Sequence, residues 1–149
     1  MGKTMDHLEL RLLLDERAIS AVMNDYCQAM DLGLHERWLD CFTDDAIYDV
    51  LLPNGTKYSS LSGKADLARF IAQYPVLPGH KHVYVTPVFK VDPDARTAEV
   101  SSYWFMLAGD GTHAGISSLG RSQDRFVWSN GRWRIKERRI VTEGMAAAG

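Results

Sequence analysis

Between Asp15 and Met30 the chain has no glycine or proline, and Ile19, Val22, Met23, Tyr26, Ala29 and Met30 recur at spacings of three and four. That period lays one apolar stripe along a helix. Asp31-Leu-Gly33 ends it, with Gly33 suited to a left-handed stop. Trp38, Leu39 and Phe42 share one face of a second short helix over Leu34 to Phe42, and Thr43-Asp-Asp45 reads as a turn. From Ala46 to Leu52 the period falls to two, with β-branched and aromatic residues, which predicts a strand. Pro53-Asn-Gly55 turns the chain, and Tyr58 to Leu61 reads as a short strand pairing back. Leu67, Phe70 and Ile71 mark a third helix within Gly63 to Tyr74, followed by the loop Tyr74-Pro-Val-Leu-Pro-Gly79.

The second half is β-patterned. Strands are predicted over His80 to Val91, Thr97 to Ala108, Gly115 to Trp128 and Arg132 to Val141. Pro87 interrupts the first and marks an edge or a bulge. The turns between them are short, as at Ser129-Asn-Gly131, so the four form an antiparallel meander. Helices first and strands after predict an α+β fold. The N-terminal helices pack in a strongly curved antiparallel sheet, a cone-shaped roll with room for a small apolar ligand. One domain is expected over residues 1–149, with 1–7 and 143–149 as flexible ends.

Composition narrows the function classes. The 149 residues suit a single domain with a real core. A net charge of -2 argues against a general nucleic-acid binder. No apolar run approaches the ~20 residues that a membrane span needs. Cys27 and Cys41 are too few for a disulfide scaffold and read as buried thiols in a reducing compartment. The start of the chain lacks the basic and then apolar stretch of a signal peptide, so a cytoplasmic location is expected.

Few residues stand out as chemical. Asp31 closes the first helix, and on the residues alone it reads as a solvated carboxylate. His82 lies on a strand, in His80-Lys-His-Val-Tyr84, with residues 80, 82 and 84 on one face. It is a half-buried structural histidine or, paired with Asp31, a general base whose tautomer the carboxylate fixes. A metal is not expected, because His113, in a turn, is the only further histidine away from the helices. Tyr26, Tyr48, Tyr84, Tyr103, Trp38, Trp104, Phe105, Phe126 and Trp128 supply core and pocket walls. Arg132, Arg134, Lys136 and Arg138 alternate along the last strand and read as its solvated face. Glu137 and Arg139 then share the inward parity of Trp133. Arg125 is either a pocket cation or half of a structural salt bridge. The Gly109 to Gly115 segment lacks the lysine of a phosphate loop, and no Gly-x-Ser-x-Gly elbow occurs.

The chain resembles the SnoaL-like branch of the nuclear transport factor two-like superfamily from about Leu13 to Val141. The resemblance rests on Arg17-Ala-Ile-Ser-Ala-Val-Met-Asn-Asp-Tyr26, Ala29-Met-Asp31, Trp38-Leu-Asp-Cys-Phe-Thr-Asp-Asp-Ala46 and Gly63-Lys-Ala-Asp-Leu67. Lys81-His82, Asp124-Arg-Phe126 and Gly131-Arg-Trp-Arg-Ile135 complete it. Asp31 with His82 is similar to the pattern of scytalone dehydratase, bile-acid dehydratase and hexachlorocyclohexane dehydrochlorinase. The resemblance implies a cofactor-independent lyase in which Asp31, His82 and Tyr26 are catalytic. Tyr48, Tyr84, Tyr103, Arg125, Trp38 and Phe105 would contact a small hydrophobic, cyclic or aromatic substrate. The dehydratases carry a second His or Asp on the strand where this chain has Ser101-Ser-Tyr-Trp-Phe-Met-Leu107, which leaves Tyr26 or Tyr103 for that role. The resemblance also implies a homo-oligomer, a trimer ahead of a dimer. Isomerase or polyketide cyclase activity is the first alternative. A non-catalytic binding module or a dioxygenase β-subunit-like protein is the second.

Overall fold

A computed structural model describes residues 6–147. Helix α1 spans His7–Leu32, α2 His35–Asp40 and α3 Lys64–Gln73. The strands are β1 Phe42–Leu51, β2 Lys57–Ser62, β3 Lys81–Asp92, β4 Thr97–Gly109, β5 Ala114–Ser129 and β6 Arg132–Met145. They form one sheet in the order β2-β1-β6-β5-β4-β3, unpaired at both ends. The expected meander is present from β3 to β6. Strand β1 adds to β6 in parallel and thereby joins the N-terminal hairpin to it. The sheet curves around α1, which touches both its β3 edge and the central β6. Among the described residues no helix is long and apolar enough to cross a membrane.

Several boundaries differ from the sequence pattern, each for a local reason. Helix α1 begins near the chain start because Asp6 and Glu9 form a reciprocal capping box. Thr43 to Asp45 is an irregular stretch inside β1 and not a turn. A flexible end is predicted from residue 143, yet Glu143 to Met145 continue β6, with Gly144 opposite Leu119 and Met145 opposite Ser118. Residues 1–5 and 148–149 of the predicted flexible ends lie outside the described residues. Pro87 keeps both of its meanings. Strand β3 is the sheet edge, and its register slips between Val85 and Val88, where Thr86 has φ 52°.

The slip that matters most is in β6. Phe126 pairs with Ile135 and Arg125 with Glu137, so Lys136 is one residue too many. A bulge of this kind inverts the alternation beyond it. Trp133 and Ile135 face the core before it, and Arg138 and Ile140 face the core after it. The reading of Arg138 as part of a solvated row, with Glu137 and Arg139 inward, is therefore corrected. The earlier cations of the row do meet the surface. Arg134 and Arg132 hold Asp40, and Lys136 holds Asp45.

The core is aromatic. Tyr26, Trp38, Phe42 and Trp133 are almost completely buried, and Tyr26, Trp38, Phe42, Tyr48 and Phe70 form a continuous network of ring contacts. Cys27 and Cys41 are free and buried, and desolvation pushes both thiols up to about 12. They are inert packing groups at neutral pH.

Candidate active site

Asp31 sits in the last turn of α1, where the helix carbonyls disfavour a carboxylate. Donors from another element offset this. Strand β3 passes the helix end, and the backbone N–H of His82 donates to both carboxylate oxygens, at 3.0 and 3.2 Å. The His82 ring adds Nδ1, 2.6 Å from Asp31 Oδ1. The two side chains are 6% and 11% exposed, so the pair is sheltered and still reachable. An imidazole that donates through Nδ1 keeps its lone pair on Nε2.

The Nε2 edge meets a residue that the sequence reading left in a loop. Tyr74 Oη lies 3.3 Å from His82 Nε2. Tyr74 follows α3 immediately, with Pro75 after it stopping any further helix. The loop from α3 to β3 packs closely on two neighbours, the Val76 side chain on the stop of α1 and the Gly79 backbone on the end of β4. Gly33, at φ 68°, would bring a Cβ to 2.8 Å from Val76, and a Cβ on Gly79 would overlap the Gly109 carbonyl. The signal was present in outline, because seven residues separate Tyr74 from His82 and leave it little distance to travel. Asp31, His82 and Tyr74 border a pocket of about 190 Å³ whose other walls include Met30, Pro75, Leu77 and Met106. It is largely apolar and sized for a small ring.

Tyr26 is not part of this group. It is buried, and its hydroxyl bonds Tyr48 Oη at 2.8 Å. Its ring lies against the Arg138 guanidinium at 4.1 Å, and the Tyr84 ring, set nearly perpendicular to it, lies against the same guanidinium at 4.3 Å. Burial, then the neighbouring Tyr48 and Tyr84, hold the Tyr26 phenol well above its ordinary value. Beneath these rings runs a row of inward polar groups from β4, β5 and β6. Ser102 Oγ meets Ser122 Oγ at 3.0 Å, Ser122 donates to Asp124 at 3.2 Å, and Asp124 faces Arg138 at 3.4 Å. Ser102, Ser122 and Asp124 follow the plain alternation of β4 and β5, and only Arg138, which completes the row, owes its inward direction to the β6 bulge.

The remaining predicted contacts divide. Tyr48 and Tyr84 join the Arg138 cluster, and Tyr84 shares the inward face of β3 with His82. Trp38 is fully buried packing. Tyr103 is 63% exposed on the outer face of β4, with Phe105 on the same face. Arg125 is exposed on the outer face of β5 and pairs with Glu137 at 3.3 Å. The expectation that Tyr103, Phe105 and Arg125 line the pocket is corrected, because strand alternation turns all three away from it. His113 is exposed in its turn beside Asp110. Among the described residues no three His, Cys, Asp or Glu side chains gather as a metal site would require.

No curated protein sequence matches the chain. The sequence pattern of the SnoaL-like domain family matches residues 11–139. Three solved structures from Novosphingobium aromaticivorans are similar. An NTF2-like protein with a cystatin-like fold is 20% identical, with a TM-score of 0.78 over 94% of this chain and 92% of that one. A candidate scytalone dehydratase is 21% identical, with a TM-score of 0.75 over 93% and 91%. The β subunit of a candidate aromatic-ring-hydroxylating dioxygenase is 20% identical, with a TM-score of 0.77 over 94% and 95%. At such identities the likeness shows the fold, and function must be argued from the site.

Proposed function

We propose that this chain, which belongs to the SnoaL-like domain family, is a cofactor-independent lyase acting on a small hydrophobic, cyclic or aromatic substrate. The supporting observation is the 2.6 Å contact of His82 Nδ1 with Asp31, which leaves Nε2 on the pocket side. Nε2 removes a proton from a carbon next to an activating group, and Asp31 stabilises the imidazolium that forms. The electron pair left on carbon then expels a leaving group. Isomerisation and polyketide cyclisation begin with the same proton removal and differ in where the electron pair goes next. The apolar wall of Met30, Leu77 and Met106 suits a ring and excludes water from the base. The likeness to a candidate scytalone dehydratase supports elimination. The likeness to a dioxygenase β subunit supports a non-catalytic alternative, in which the dyad would be structural.

The test has two parts. Nitrogen NMR of labelled His82 should show the Nδ1-protonated tautomer, lost in Asp31→Asn. Ring opening of 5-nitrobenzisoxazole, which needs only a positioned base, should fall by roughly 100-fold or more in His82→Ala. Undiminished ring opening in that variant would favour the non-catalytic reading.

A further inference from the structure

An elimination that expels hydroxide needs an acid as well as a base, and neither acid expected from the sequence is in position. Tyr26 is committed to Tyr48 in the core, and Tyr103 is on the outer face. We propose that Tyr74 is the general acid of this site, donating its phenolic proton to the departing oxygen while His82 Nε2 takes the proton from carbon. This rests on the lyase reading above and assigns the role that reading leaves empty.

Two geometric facts carry the assignment. Tyr74 borders the same pocket as His82, so both groups can meet one substrate. Tyr74 Oη is also 3.3 Å from Nε2, close enough for a direct proton return. The cycle balances. The carbon proton moves to Nε2 and its electron pair forms the double bond. The carbon–oxygen bond breaks, and the oxygen takes the Tyr74 proton and leaves as water. The imidazolium Nε2–H then returns its proton to the phenolate. Both side chains are restored, and the net change is the loss of one water. Burial, with Tyr48 and the Asp31 charge adding, pushes the Tyr74 phenol up to about 12. It is therefore protonated when the substrate arrives, as a donor must be.

The experiment compares two probes with one protein. The acetone–benzaldehyde aldol, a β-hydroxy ketone, must expel hydroxide and so needs an acid. The phenolate released from 5-nitrobenzisoxazole does not. Tyr74→Phe should slow dehydration of the ketone by roughly 100-fold, a loss at least about tenfold greater than its effect on benzisoxazole opening, where only the lost contact with Nε2 is felt. His82→Ala should lose both reactions. Equal losses on both probes in Tyr74→Phe would reduce Tyr74 to a positioning residue and overturn the proposal, as would no loss on either. Benzisoxazole opening that survives His82→Ala would overturn the base assignment itself, whatever Tyr74 does. Turnover of neither probe by the wild-type chain would overturn the lyase reading and the acid with it.

Discussion

Two carboxylate pairs in this molecule look alike on paper and are finished differently. Asp31 accepts the His82 ring N–H and the His82 backbone N–H, and its pair lies at the mouth of a pocket. Asp124 faces Arg138 with both side chains at 0% exposure. There Nε, Nη1 and Nη2 of Arg138 and Oδ1 of Asp124 find no hydrogen-bond partner among the described residues. Arg138 relies on two tyrosine faces and on a charge 3.4 Å away. A sheltered pair whose second ring nitrogen meets Tyr74 at the pocket is suited to proton transfer. A sealed pair with unmet donors locks the strands that bring it together, and it is costly to break one-sidedly.

That contrast can be broken first at Arg138. Arg138→Met alone leaves Asp124 as an uncompensated buried carboxylate and should cost about 3–5 kcal/mol in urea unfolding. Adding Asp124→Leu should recover most of the loss, because the double variant buries no charge. A double variant no better than the single one would show that Arg138 acts mainly through its tyrosine stacking. At the other pair, His82→Gln should reverse the balance. Ring opening of 5-nitrobenzisoxazole falls by roughly 10²–10⁴-fold, while stability changes by only about 1 kcal/mol, the scale of one hydrogen bond.

The sealed pair also carries a pH response. Burial raises the Asp124 carboxyl from the ordinary 3.8 to about 6, with Arg138 and Ser122 opposing the rise. The folded chain then binds this proton more tightly than the unfolded chain. Its stabilising contribution is present at low pH and is lost as pH rises through about 6. The difference in melting temperature between wild type and Asp124→Asn, followed across 3.8 to about 6, should turn against the wild type as pH increases. A constant difference would mean that Asp124 is ionised throughout. The smallest effect belongs to Arg125. Its exposed pair with Glu137 should contribute less than ~1 kcal/mol, so Arg125→Ala should leave unfolding nearly unchanged.

Much of the architecture was legible in the chain itself. The apolar stripe from Ile19 to Met30 required a helix, and short turns between β-patterned segments required an antiparallel meander. Pro87 announced an edge strand and a slip, because proline supplies no amide to a ladder. Asp31 and His82 were named as a pair through the family resemblance, because the residues alone left Asp31 as a solvated carboxylate. The sites that were misread lie where alternation was followed too far. Counting by twos from Trp133 sends Arg138 outward, and one extra residue at Lys136 brings it in. Tyr103 and Arg125 were drawn to the pocket by residue type, while their strands face them outward.

By itself, then, the sequence determined most of the elements, their order and the aromatic core. These follow from local periodicity and from side-chain chemistry, which travel with the residue. Only the tertiary structure decided that Asp31 meets His82 at 2.6 Å, that Tyr74 joins them and Tyr26 does not, and that an arginine is sealed in the interior. Those outcomes depend on a bulge, on the entry angle of one loop, and on contacts between residues 51 positions apart in the chain. Such register and direction come from packing the whole sheet around α1, and no single stretch of sequence contains them.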